Sequence, residues 1–98
     1  MKCLVTGGAG FIGSNLVDKL ISLDYDVIVI DNKSAKENEK FYWNQNAKNY
    51  TCDICYYDKI KPLFNNVDYV FHLAAQSRIQ PSIIDPCYTF KVNCKGTL

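Results

Sequence analysis

Residues 6 to 13 read Thr6-Gly7-Gly8-Ala9-Gly10-Phe11-Ile12-Gly13 and stand between a short apolar run and an amphipathic one. This is the feature that most narrows what the chain can become. The run fits a dinucleotide fingerprint twice, as Gly8-x-Gly10-x-x-Gly13 and as the wider Gly7-x-x-Gly10-x-x-Gly13, in the strand-turn-helix setting the motif needs. The glycines divide the work: one allows the tight turn, one lets a pyrophosphate approach bare backbone, and one lets the following helix pack closely on the strand. The first N–H groups of that helix are free of intrahelical partners, and the helix dipole favours a negative charge in front of them. A bound ligand carrying phosphates is therefore expected; the alternative is a glycine-rich loop that only turns a corner.

The flanking segments predict the rest of the frame. Lys2 to Val5 reads as a buried parallel strand. From Phe11, the residues Ile12, Leu16, Leu20 and Leu23 recur at helical spacing, with Val17 and Ile21 on the neighbouring stripe. Asp24-Tyr25-Asp26 ends that pattern, and Val27-Ile28-Val29-Ile30 forms a second β-branched strand closed by Asp31-Asn32. Residues 33 to 49 mix both charges with amides and predict a loop. Within them Phe41-Tyr42-Trp43 either packs over the sheet or stacks on a base. Asn49 to Cys52 reads as a third strand, Tyr57 to Phe64 as a short helix, and Val67 to Ala75 as a fourth strand. A loop through Pro81 and Pro86 then leads to a helical segment from about Tyr88.

Strands alternating with helices imply a parallel sheet with right-handed crossovers, here four strands in the order 3-2-1-4 with helices on both faces. That is an α/β arrangement of Rossmann type, partial, with its nucleotide crevice where the strand order reverses. With 98 residues the chain is expected to hold one domain and no second. Eleven basic and ten acidic residues leave a formal net charge of +1, which gives no global field toward nucleic acid or an anionic membrane. The apolar start at Met1 has no charged leader, and no apolar stretch is long enough to span a bilayer, so a cytoplasmic chain is expected. Five cysteines, an odd count without a secretion signal, argue for reduced thiols. Cys52-Asp53-Ile54-Cys55 has the C-x-x-C spacing but no second pair or nearby histidine to complete four zinc ligands, so no metal is expected.

Asp31 lies eighteen residues beyond Gly13, at a strand end, where a carboxylate can accept from adenosine ribose hydroxyls and would repel a 2′-phosphate. With Lys33 as the sole nearby cation, NAD is favoured over NADP. Asp31 also has the makings of a plain turn initiator. Asp53 follows the third strand in the same way, suited to an adenine amino group while the Ile54 N–H meets the ring, or simply to a turn.

These residues, with His72-Leu73-Ala74-Ala75-Gln76, the Ser82 to Pro86 loop, and Val92-Asn93 with Gly96-Thr97-Leu98, resemble the extended short-chain dehydrogenase/reductase family. The resemblance is to its nucleotide-sugar epimerases and dehydratases of UDP-glucose 4-epimerase type, over their N-terminal part. It implies that Gly7, Gly10, Phe11, Ile12 and Gly13 line a pyrophosphate turn, Asp31 and Asn32 the ribose, and Asp53 and Ile54 the adenine. It further implies that Leu73, Ala74 and Ala75 border the nicotinamide half of NAD and that Asn93 helps fix the cofactor. Ser77, Arg78 and Ser82 become candidate contacts to a nucleotide-sugar. His72, the only histidine, reads as a packed, hydrogen-bonded core residue rather than an acid or base.

The family's catalytic tyrosine, the lysine four residues after it, and its serine or threonine follow a fifth strand, and this chain is expected to stop short of them. Tyr57-Asp58-Lys59-Ile60-Lys61 spells the same Tyr-x-x-x-Lys spacing, read as a chance match because it follows the adenine segment. No catalytic residue is therefore assigned, and whether the chain is an enzyme stays open. The leading expectation is an NAD-binding module. The rivals are a compact oligomeric epimerase or oxidoreductase with a site assembled between chains, and a non-catalytic partner of a full-length relative. An uncovered fourth strand further predicts self-association, as a dimer, or a partner chain on that edge.

Overall fold

The computed structural model describes residues 1–33, 42–76 and 79–98. Four strands, β1 (Lys2–Thr6), β2 (Asp26–Asp31), β3 (Lys48–Thr51) and β4 (Tyr69–His72), form one sheet in the order β3-β2-β1-β4. All three pairings are parallel. The register sets Thr6 beside Ile30 and His72, and Asp31 beside Thr51, so the strands end together along one edge. The order reverses between β1 and β4, which makes that gap the switch point of the sheet.

Both faces of β1 and β2 are covered, as their apolar runs predict. Helix α1 (Phe11–Ser22) lays Val17 and Leu20 on Cys3, Val5, Val27 and Val29. On the other face Leu4, Ile28 and Ile30 meet Ile54 and Ile60, the latter from the single turn α2 (Tyr57–Ile60). Period-2 alternation sends successive β1 and β2 residues to opposite cores, and continuous apolar runs supply both. Pro62 then tightens the chain into a 3-10 turn over Lys61–Phe64, so the expected helix from Tyr57 to Phe64 is split in two.

Other features also differ from the sequence reading. Strand β4 covers Tyr69–His72 rather than Val67 to Ala75, because β1, its one neighbour, ends at Thr6 and the chain beyond His72 bends onto the glycine turn. Where a loop through Pro81 and Pro86 is expected, the chain forms α3 (Ile79–Ile84) and α4 (Pro86–Phe90). Each proline falls within the first turn, where the missing N–H has no helical acceptor to lose. Asp85 caps α4 by accepting from the Tyr88 N–H at 3.1 Å, and α4 runs on into a π-helical turn, Lys91–Lys95. Finally, His72 is hydrogen-bonded as expected but exposed rather than packed, since nothing among the described residues covers the outer edge of β4.

Candidate functional site at the sheet switch point

Backbone contacts shape the glycine turn. Gly7, at φ +72°, donates to the Ile30 carbonyl at 2.8 Å and accepts from the Gly10 N–H at 3.3 Å. A side chain at Gly7 would meet the Ala74 nitrogen at 2.9 Å, so the turn and the segment leaving β4 touch backbone to backbone. At Gly8 a β-carbon would meet the Val29 Cγ1 at 2.5 Å. At Gly13 it would fall on the Gly7 carbonyl oxygen, which is what close packing of α1 on the turn means in atomic terms. Gly10 is different: it is the N-cap residue of α1, with extended backbone at φ −78° and ψ −179°.

Helix α1 therefore begins without a side-chain cap and without an acidic residue in its first turn. Its first N–H groups lack intrahelical acceptors, and the helix supplies no anion of its own at its positive dipole end. Phe11 and Ile12, 77% and 71% exposed, stand at this opening although both are large and apolar. A glycine cradle in which β-carbons at 7 and 13 would collide with backbone, in front of an uncapped twelve-residue helix, fits a pyrophosphate.

Asp31 sits at the tip of β2 and is 9% exposed. Its Oδ2 accepts from the Ala9 N–H at 3.0 Å and its Oδ1 from the Lys33 N–H at 2.6 Å. The carboxylate thus starts a turn and also ties β2 to the glycine loop. An ionised carboxylate has about four acceptor positions, and these two N–H groups fill two of them. Asn32 follows it, exposed. The Lys33 ammonium lies over the Trp43 ring, 5.1 Å from its centroid, and the Tyr42 N–H donates to the Ala9 carbonyl at 3.0 Å. Tyr42 thus borders the turn and Trp43 packs against the first core, while Phe41 lies outside the described residues.

Asp53 accepts from the Cys55 N–H at 2.8 Å, the turn geometry expected of a short polar residue after a strand, and the Ile54 side chain is buried in the second core. Burial, then the Asp53 hydrogen bond and charge, push the Cys55 thiol above its ordinary pKa, and its Sγ donates to the Lys91 carbonyl. A protonated thiol is a poor nucleophile and a poor ligand. All five cysteines are free. No group of histidine, cysteine or acidic side chains suited to a metal occurs among the described residues.

Across the switch point, Leu73 and Ala74 both donate their N–H groups to the Thr6 Oγ1, at 3.0 and 3.1 Å. Asn93 accepts from the Gln76 N–H at 2.7 Å and donates to the Gln76 carbonyl at 3.0 Å, so one side-chain amide clamps one backbone residue. Ala75 lies exposed between these anchors. Ser82 lies in α3, whereas Ser77 and Arg78 fall outside the described residues. Tyr57 and Lys61 share a face, with the ammonium 5.6 Å from the ring centroid. Both line a cavity of about 560 Å³ that also meets Thr6, His72 and Thr97. Thr6 and Thr97 are the residues sequence reasoning passed over. Their only advance signal is that one precedes the glycine turn and the other closes the final Gly96-Thr97-Leu98 stretch.

A parallel half-sheet with a glycine cradle at its switch point and an acidic residue at the next strand tip defines an α/β protein of the dinucleotide-binding class. The chain belongs to the family whose model is described as GDP-mannose 4,6 dehydratase, which matches residues 4–98. It is 42% identical over 97% of its length to a putative UDP-glucose 4-epimerase of Methanocaldococcus jannaschii, covering 31% of that protein. The crystal structure of Thermotoga maritima UDP-glucose 4-epimerase with UDP-glucose superposes with a TM-score of 0.89 at 44% identity, over 99% of this chain and 31% of that one. The Thermus thermophilus UDP-glucose 4-epimerase complex with NAD gives 0.84 at 34% identity, over 98% of this chain and 31% of that one. The chain thus spans about a third of these relatives' length, and it matches the N-terminal, NAD-binding part of nucleotide-sugar epimerases and dehydratases.

Proposed function

We propose that the chain binds NAD across the switch point, as the cofactor half of a nucleotide-sugar epimerase or dehydratase. The observation that carries this is the uncapped start of α1 behind a turn that only glycine can form, with the Asp31 carboxylate 3.0 Å from the Ala9 nitrogen of that same turn. In this reading Gly7, Gly10, Phe11, Ile12 and Gly13 surround the pyrophosphate. Asp31 and Asn32 take the adenosine ribose, Asp53 and Ile54 the adenine, and Leu73, Ala74 and Ala75 the nicotinamide half. Asn93 acts through Gln76, since both ends of its amide are held there. Ser77, Arg78 and Ser82 contact a nucleotide-sugar. When bound, NAD supplies a hydride acceptor; the residues of this chain hold and orient it.

The open edge of β4, with Tyr69 54% and Val70 48% exposed, supports association with a second copy or with a covering segment. Five free thiols support a cytoplasmic setting, and among the described residues no helix is long and apolar enough to cross a membrane. Calorimetric titration with NAD and NADP tests the proposal: NAD binds, and NADP binds more weakly because its 2′-phosphate meets Asp31. Absence of heat with both would overturn it, as would full affinity in Gly10→Val.

A further inference from the structure

Thr6 and His72 are register partners at the ends of β1 and β4. The Thr6 hydroxyl has one hydrogen to give and two lone pairs. Both lone pairs face N–H donors, that of Ala74 at 3.1 Å and that of Leu73 at 3.0 Å, the Leu73 hydrogen being shared with the Thr6 carbonyl at 3.1 Å. Its hydrogen must therefore go to the His72 Nδ1, 2.6 Å away. That ring nitrogen then carries no proton, which assigns the neutral ring its proton on Nε2. From Nε2 the ring donates to the Thr97 Oγ1 at 2.9 Å, and the Thr97 hydroxyl donates to the Asn93 carbonyl at 2.7 Å. Asn93 grips Gln76 with both ends of its amide. The chain from Gln76 back to Leu73 closes the circuit.

We infer that His72, as the Nε2–H tautomer, is a positioning residue that joins the last helical turn to the 73–76 segment and sets that segment against the glycine turn. From the Thr6 hydroxyl through the His72 ring and the Thr97 hydroxyl to the Asn93 carbonyl every hydrogen points one way, so the other tautomer would set the Nδ1–H against the Thr6 hydroxyl and leave Nε2 without a donor, the Thr97 hydrogen being held by Asn93. The segment it fixes is the one assigned above to the nicotinamide half, so the ligand arm of this inference rests on the NAD reading. The adenine half lies across the sheet at β2 and β3 and does not touch the ring. Loss of the ring should therefore weaken NAD and spare ADP.

Because His72 is the only histidine, one nitrogen spectrum of the labelled protein at alkaline pH reads its tautomer without ambiguity. The unprotonated resonance is expected at Nδ1; finding it at Nε2 overturns the inference. Thr97→Val removes the far acceptor at an exposed site, where folding is least at risk. It should weaken NAD about tenfold, the loss of one or two hydrogen bonds, leave ADP affinity unchanged, and speed hydrogen exchange at Leu73, Ala74 and Gln76. Thr97→Ser restores all three. Equal losses for NAD and ADP, or unchanged exchange, overturn the inference. If the parent chain binds no NAD, the functional proposal falls, and the tautomer and exchange measurements still decide the role of His72.

Discussion

Gly13→Ala and Gly10→Ala should separate folding from binding at the same turn. A β-carbon at residue 13 would fall on the Gly7 carbonyl oxygen and lie 2.9 Å from the Gly8 Cα, both backbone atoms. Relief requires α1 to back away from β1. Overpacking against rigid backbone costs about 3 kcal/mol at the upper end of its usual range. Alanine is better than glycine inside a helix by about 1 kcal/mol. The net loss, about 2 kcal/mol, corresponds to a fall of roughly 8–16 °C in melting temperature for a domain of this length. Gly10, by contrast, has extended backbone that any residue adopts. Gly10→Ala should fold as well as the parent, or gain about 0.4–1 kcal/mol from a stiffer unfolded chain, while its methyl group intrudes on the pyrophosphate and suppresses NAD binding. Thermal melts followed by circular dichroism and calorimetric NAD titration measure the two effects. An unchanged melting temperature for Gly13→Ala, or parental affinity in Gly10→Ala, refutes the division of labour among the glycines.

Asp31→Asn leaves one of the Ala9 and Lys33 N–H groups without an acceptor, so its urea midpoint should drop by the equivalent of about 1–3 kcal/mol, and its NAD affinity should fall more than its NADP affinity in parallel titrations. Alkylation by iodoacetamide, read by mass spectrometry, should reach exposed Cys87 and Cys94 first and Cys3, 1% exposed, last. The raised pKa of Cys55 means its thiolate appears only at higher pH than a free thiol's, so its alkylation rate should climb later with rising pH than that of free cysteine in the same buffer; coincident profiles would contradict the desolvation and Asp53 contacts. Val70→Lys on the open β4 edge should shift sedimentation toward monomer if that edge mediates association, with little change in melting temperature because residue 70 is 48% exposed.

The sheet order and the two cores were legible because β1 and β2 carry apolar residues at consecutive positions, a pattern that only a strand covered on both faces sustains. The glycine turn was legible for the same reason of spacing. The far half of the site was not. Ala74 and Ala75 look like strand continuation by composition, yet Ala74 is held by Thr6, a residue 68 positions away in sequence. His72 suggested a core residue because its neighbours are apolar, but it ends an edge strand, where an apolar run does not guarantee cover. Thr6 and Thr97 each gain their part from a ring that neither adjoins in sequence, at separations of 66 and 25 residues. Pro81 and Pro86 signalled a loop, because composition alone does not distinguish a proline that ends a helix from one inside its first turn.

Parallel strands give the molecule two unlike poles. Thr6, Asp31 and His72 arrive together at one, whereas the reversals at Asp24 and Asn66, both with positive φ, lie at the other. A fluorophore, affinity tag or inserted domain placed between Asn65 and Asn66 would ride on the blunt pole, a sheet's length from the ligand cleft. The protein could thus be immobilised or tracked there with its cleft facing free solution.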